Sequence, residues 1–156
     1  MNSGEFYDKD KVDDAVLSLL YLTLHDLNRA WKGHDFAVMD RLHEKGLIGN
    51  PAGKTKSVTL TIDGLERCEQ LFLKQFCTPE TRAGVLAENA RRAEAAWKKI
   101  PPEKQRRILS DAWCNKCETC NPFTETARKH ACGHLIIEGA CATCGGPVKF
   151  LATGLL

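Results

Sequence analysis

Two cysteine pairs, Cys114-Asn115-Lys116-Cys117 and Cys141-Ala142-Thr143-Cys144, are the side chains best spaced to do chemistry in this chain. One C-x-x-C is ambiguous. Two of them, separated by a polar stretch with strand character, supply four thiolates at the spacing a tetrahedral Zn2+ site uses. Each pair can wrap one side of the ion in a tight turn, and Gly145-Gly146 follows the second pair where such a turn needs positive φ. A closed four-sulfur site organises a fold and leaves no coordination position for catalysis. Other registers stay open. Cys117-Glu118-Thr119-Cys120 is itself a C-x-x-C, and Cys132, His130 and His134 offer donors for a shifted site or a two-metal cluster. Cys68 and Cys77 read as small buried residues.

Catalytic patterns are missing. His130 and His134 are four apart, as in metalloprotease helices, but Ala131 stands where the general-base glutamate would be. Ala140 precedes Cys141, which breaks the Pro-Cys-x-x-Cys of zinc deaminases. A thioredoxin-like pair needs a βαβ context that this region lacks. With no Gly-rich phosphate loop or nucleophile elbow either, a protein without enzymatic activity is expected.

Composition sets the frame for these residues. At 156 residues, 43% hydrophobic and 27% charged, the chain is ordinary folding material for one medium or two small domains. Its formal charge of +2 is too small to name a partner. The start, Met1-Asn2-Ser3-Gly4, has neither the basic nor the apolar region of a signal peptide. Val16 to Leu24 is too short to span a bilayer. These features predict a cytoplasmic protein with no membrane partner. In that reducing compartment eight cysteines argue for metal over disulfides.

The elements that must position the cysteines can be read from periodicity. Asp10 to about Asn28 reads as a helix with Val12, Val16, Leu19, Leu20, Thr23 and Leu27 on one face. A second helix has Asp35 as N-cap, Phe36, Met39 and Leu42 inward, and Gly46 as left-handed C-cap. Asn50-Pro51-Ala52-Gly53 is a turn, and Ser57-Val58-Thr59-Leu60 a short strand. Thr61 caps a third helix to about Phe76, with Leu65, Cys68, Phe72 and Phe76 inward. After Thr78-Pro79, Arg82 to Lys99 is helical with Leu86, Ala90, Ala93 and Trp97 on a narrow stripe. Pro101-Pro102 stops it and starts a short helix through Trp113. His134 to Glu138 and Val148 to Leu151 are the expected strands of a metal-stapled sheet.

The run Met39-Asp40-Arg41-Leu42-His43-Glu44-Lys45-Gly46-Leu47-Ile48, followed by Lys56-Ser57-Val58-Thr59-Leu60-Thr61-Ile62-Asp63-Gly64-Leu65, resembles the recognition helix and wing of bacterial winged-helix repressors. Residues 12–77 are also similar to a small bacterial family of unknown function. Arg29 to His34 is too short for the extra helix that winged helices carry before the recognition helix. The second resemblance covers about residues 113–151. Trp113-Cys114-Asn115-Lys116-Cys117 with Gly139-Ala140-Cys141-Ala142-Thr143-Cys144-Gly145 resembles small bacterial zinc ribbons, which implies Cys114, Cys117, Cys141 and Cys144 as ligands.

The expected fold class is therefore α+β: a winged-helix-like half (1–77), a basic helical connector (78–112) and a zinc-ribbon-like module (113–156). The resemblances imply a DNA-binding or regulatory protein whose DNA contacts include Arg41, Lys45, Lys54 and Lys56. The competing expectation is an adaptor or inhibitor, of the sort phages encode, that docks on another protein or forms a homodimer. Arg82, Arg91, Arg92, Lys98, Lys99, Lys104, Arg106 and Arg107 make a basic middle suited to phosphates or to a solvated helix face. Trp31, Trp97 and Trp113 read as packing residues.

Overall fold

In the computed structural model, which describes residues 6–153, helix α1 (Lys9–Leu20) begins where the Asp8 carboxylate accepts the Lys11 N–H at 3.1 Å. That contact satisfies one of the donors left open at a helix start. The buried face is Asp13, Leu17, Ser18 and Leu20, and the stripe expected through Leu19 and Leu27 is not the one used. Nor does the helix reach Asn28. A 3-10 turn (Tyr21–Thr23) follows, and Asp26 and Leu27 then take φ of 43° and 73°. Two successive left-handed residues reverse the chain, so strand β1 (Arg29–Trp31) lies where the sequence suggested a linker. Leu27 is left 60% exposed at the tip.

Helix α2 (Phe36–Glu44) follows its punctuation closely. The Asp35 side chain accepts the Val38 N–H at 3.2 Å. At the other end Gly46 takes φ of 71°, Gly46 N–H donates to the His43 carbonyl (2.8 Å), and Leu47 N–H donates to the Leu42 carbonyl (3.0 Å). That is a Schellman cap. Val38, Met39 and Leu42 are buried, whereas Phe36, expected inward, is exposed. Side chains tilt toward the helix N-terminus, so one in the first turn projects past the elements that cover Met39.

Strand β2 (Ser57–Thr59) pairs antiparallel with β1, with Ala30 opposite Val58, and Ile48 bridges to Leu60. Helix α3 (Ile62–Phe76) starts at Thr61, whose hydroxyl accepts the Gly64 N–H (3.0 Å) and donates to the Gly46 carbonyl (2.8 Å). One threonine thus ties two helix ends together. Gly64 must be glycine here, because a Cβ would stand 1.8 Å from the Leu47 carbonyl oxygen. Leu65, Cys68, Leu71 and Leu73 are buried; Phe72 stacks on Tyr21, and Phe76, expected inward, is exposed at the last turn. The apolar face shifts because Leu71 and Leu73, not the phenylalanines, complete it.

The chain divides into two units, 1–82 and 83–156. Helix α4 (Pro79–Lys99) and helix α5 (Pro102–Ser110) precede five strands: β3 (Ala112–Cys114), β4 (Thr119–Asn121), β5 (Phe123–Ala131), β6 (His134–Cys141) and β7 (Pro147–Ala152). β3 and β4 pair antiparallel, and β5-β6-β7 form an antiparallel meander. The second unit's core joins Ala93, Ala96, Trp97, Ile100 and Ile108 to Phe123, Leu135, Ile137 and Val148. The helices from 83 onward therefore share this core, where the sequence suggested a separate connector. Leu86, expected on the α4 stripe, is exposed. Both units mix helix and strand, and the chain is α+β.

Candidate metal centre

Each cysteine pair fills the turn of a β-hairpin. Cys114 ends β3 and Thr119 begins β4; Cys141 ends β6 and Pro147 begins β7. The hairpins hold the pairs rigidly, because the strand ladders fix the first cysteine of each: Cys114 opposite Thr119, and Cys141 opposite Phe123. The second turn is closed by the Gly145 N–H donating to the Cys141 carbonyl and the Cys141 N–H donating to the Gly146 carbonyl, both at 2.8 Å. Gly145 takes φ of 68°, as expected from the sequence. The equivalent position after the first pair is Glu118, with φ of 52°. A non-glycine residue in that region is strained by roughly 1 kcal/mol.

The four sulfurs converge. All lie within 4.8 Å of one another, with Cys114 Sγ 3.5 Å from Cys144 Sγ and Cys117 Sγ 4.0 Å from Cys141 Sγ. A tetrahedral ion with metal–sulfur bonds of about 2.3 Å requires sulfur–sulfur edges of about 3.8 Å. The two separations bracket that value and are far too long for disulfides, and all eight cysteines are free thiols. Cys114 and Cys141 are fully buried members of the hydrophobic core, whereas Cys117 and Cys144 sit at its rim. The donor set can therefore hold one metal ion, closed on the core side by apolar packing.

The cluster's electrostatics favour a cation. Backbone N–H groups of Cys144 and Thr143 point at the Cys141 sulfur and hold its thiol down at about 6. Cys117 is pushed up to about 12, first by its hydrogen bond with Cys144, then by burial and by Cys114 and Cys141. One thiolate thus forms readily, and the last resists until a positive ion neutralises the others. Lys116 lies between Cys114 and Cys117. Arg128, Lys129 and Lys149, which follow the first cysteine pair in the same unit, are bound to carboxylates. Arg128 pairs with Glu94 and Glu125, and both lysines pair with Glu138.

The other candidate donors stand apart from this cluster. Cys120 is exposed on β4, opposite Trp113, with its thiol raised by burial and by Asp111. Cys132 and Gly133 form the β5–β6 turn with φ of 50° and 83°. His130 is half-buried in β5, where burial and then the neighbouring Arg92 and His134 lower its pKa. Among the described residues the converging His, Cys and carboxylate group is Cys114, Cys117, Cys141 and Cys144.

The residues expected to touch DNA fall into two classes. Arg41 donates to both oxygens of Asp13 (3.0 Å and 3.1 Å from Nε), and Lys45 reaches Asp13 at 2.8 Å and Asp10 at 2.6 Å. Both cations are engaged within their own unit. Lys54 and Lys56 are exposed in the loop before β2. Asp13 escaped sequence reasoning although a signal was present: it precedes Leu17 by four residues and Leu20 by seven, which places a carboxylate on the buried stripe. Its side chain is 1% exposed. Burial alone would raise its pKa, but the hydrogen bonds from Arg41 and Lys45 outweigh it and hold the carboxyl below the ordinary range.

Residues 8–78 match the family model described as a domain of unknown function (DUF6429). The uncharacterized protein y4hR of Sinorhizobium fredii is 59% identical over 69 residues, a stretch covering 93% of that protein and 44% of this chain. No solved structure matches the chain. The matched stretch comprises the helices and strands organised by Asp13, Gly46, Thr61 and Gly64, and it ends before the cysteine cluster. Through this N-terminal region the chain belongs to the DUF6429 family.

Proposed function

We propose that this is a zinc-containing, cytoplasmic, non-catalytic protein that binds nucleic acid. The closed four-sulfur cluster carries the reading. Four thiolates in a tetrahedron suit Zn2+, and such a site stabilises a small fold without leaving a position for substrate. The hairpin–turn–hairpin arrangement around the cysteines resembles a zinc ribbon. In the first unit, the order helix, β1, helix, Ile48 bridge, β2, helix resembles a winged helix with one helix fewer before the wing. On that likeness Lys54 and Lys56 sit at the wing tip, where phosphate contacts are made. Arg41 and Lys45 support Asp13 instead, so the wing is favoured over α2 as the contact.

Metal analysis of the purified chain should give one zinc per molecule. Duplex DNA should bind with an affinity that falls steeply between about 50 mM and about 200 mM salt. Replacing Lys54 and Lys56 with Glu should weaken that binding, and unchanged affinity would remove the wing from the interface. Absence of binding at the lower salt concentration would refute the reading.

A second reading, a protein-binding adaptor or inhibitor, is favoured by one observation. The first unit exposes Leu22, Leu27, Trp31 and Phe36 while its acids outnumber its bases. A salt-insensitive interaction with a protein, combined with no DNA binding, selects it.

A further inference from the structure

The second unit concentrates its uncompensated charge in one stretch. Between Lys98 and Lys116 stand six cations, Lys98, Lys99, Lys104, Arg106, Arg107 and Lys116, against two acids, Glu103 and Asp111. The unit's other basic residues are committed: Arg91 and Arg92 to Glu88, Arg128 to Glu94 and Glu125, Lys129 and Lys149 to Glu138. Among the described residues, those six cations make no ion pair. What is left over after internal pairing is positive and local.

That charge borders an apolar floor. Lys104 and Arg107 of α5 line an open groove of about 320 Å³ together with Ile108, Asp111 and Phe150. Its volume is at the small end of ligand pockets, about 300 Å³ and upward. Two cations above an aliphatic and an aromatic side chain suit a planar ring that carries an anion. Asp111 disfavours a bare anion and so favours a ligand whose ring contributes to binding.

The surface continues from the groove to the metal hairpin. Asp111, which lines the groove, directly precedes β3, and in β3 Trp113 stands opposite Cys120, so the Trp113 and Cys120 side chains share a face. Trp113 is 56% exposed, yet its ring is not loose. Its indole N–H donates to Asn115 Oδ1 at 2.9 Å, which fixes the ring in place. An exposed indole anchored by a hydrogen bond offers a stacking platform, whereas the other exposed indole, Trp31, already stacks on His25. Lys116 then lays its stem against Gly146, within ordinary contact of a Cβ placed there, and is exposed.

We propose that this face of the second unit binds single-stranded nucleic acid. A base stacks on Trp113, another lies on the Ile108–Phe150 floor, and phosphates are neutralised by Lys104 and Arg107. The occupant is single-stranded because a duplex keeps its base faces inside the stack and offers the indole and the floor nothing to cover them. The inference rests on the nucleic-acid reading above, but it uses a different unit and a different form of nucleic acid, so the two can fail separately.

The test uses the full metal-loaded chain with labelled oligothymidine and oligouridine of about 15 nucleotides, which separate DNA from RNA, and a duplex of similar length. Trp113→Ala should weaken single-strand binding about tenfold, and Trp113→Phe should restore most of it. Lys104→Glu with Arg107→Glu should weaken it about tenfold or more and reduce the salt slope by about 1 to 2. Metal content and the circular-dichroism spectrum should be unchanged in each variant, as should duplex binding. Unchanged single-strand affinity in either variant overturns the proposal, as does equal loss of duplex and single-strand binding. Duplex binding without single-strand binding overturns this inference and leaves the broader reading standing. Binding of polyglutamate but of no oligonucleotide overturns both and points to an acidic protein partner.

Discussion

The two units reach a folded state by different routes, and the contrast explains their different sensitivities. The first unit encloses a carboxylate: Asp13 is buried beneath α2 and satisfied by Arg41 and Lys45, with Leu17, Leu20, Leu42, Leu65 and Cys68 buried in the same unit. Among its described residues no metal-donor side chains converge. The second unit packs Trp97, Ile100, Ile108, Phe123, Leu135, Ile137 and Val148 with four alanines, Ala93, Ala96, Ala112 and Ala152, and continues that core into Cys114 and Cys141. An apolar core of this size supplies limited stability, and an ion held by the four cysteines would add a cross-link to it. One unit is organised around a buried ion pair, the other around four converging cysteines that can hold an ion.

The largest effect that would sharpen the contrast comes from Cys141→Ser with Cys144→Ser. It should abolish stoichiometric metal and unfold the second unit while the first keeps its helical signal, because the lost binding energy is on the order of 10 kcal/mol. Retained metal together with an intact spectrum would refute the ligand assignment.

Next in size is Asp13→Ala, read by urea denaturation. Removing one partner of a buried ion pair costs roughly 3 kcal/mol, with some discount because Arg41 is 24% and Lys45 39% exposed. The sign of its pH dependence follows from the lowered carboxyl pKa. Asp13's contribution is complete above its unfolded value, near 3.8, and is lost as pH falls through the lower folded value. Asp13→Asn should flatten the acid limb of the first unit's stability curve. A wild-type curve already flat there would contradict the burial argument.

Two glycines test close approach in each unit. Gly64→Ala forces a Cβ to 1.8 Å from the Leu47 carbonyl, and Gly139→Ala forces one to 2.2 Å from the Thr124 carbonyl. Each should cost about 2 kcal/mol, and Gly139→Ala should do so without changing metal content. A neutral result at either would mean the backbone yields there. The smallest effect is Glu118→Gly. Relief of its positive φ is partly offset by glycine's entropy, which leaves a stabilisation of about 0.5 kcal/mol, read as a raised thermal midpoint of the second unit. A destabilised variant would show that the Glu118 side chain contributes more than its backbone costs.

What could be read from the sequence was mostly punctuation. Asp35, Gly46, Thr61 and Pro102 each mark a helix end through a local backbone requirement, and each sits where its chemistry placed it. The cysteine pairs were legible for the same reason, since a C-x-x-C turn is a local object. Apolar registers were less legible. Phe36 and Phe76 fit a helical stripe but lie at helix ends, where no neighbouring element covers them. The end of α1 was hidden because Asp26-Leu27 carries no glycine to announce its left-handed turn. Strand β5 escaped because Thr124-Glu125-Thr126-Ala127-Arg128-Lys129 is polar on both faces, and a bulge between Glu125 and Ala127 interrupts its alternation. Asp13 was missed because a charge on an apolar stripe is explained only by partners distant in sequence.

Residue-resolved hydrogen exchange on the full chain, before and after treatment with a thiolate-competitive chelator, tests the division most directly. The account predicts that stripping the metal collapses amide protection from Ala112 to Ala152 and leaves α1, α2 and α3 protected as before. Protection that survives metal removal in β6 and β7, or that disappears equally from α1 and α3, would contradict it.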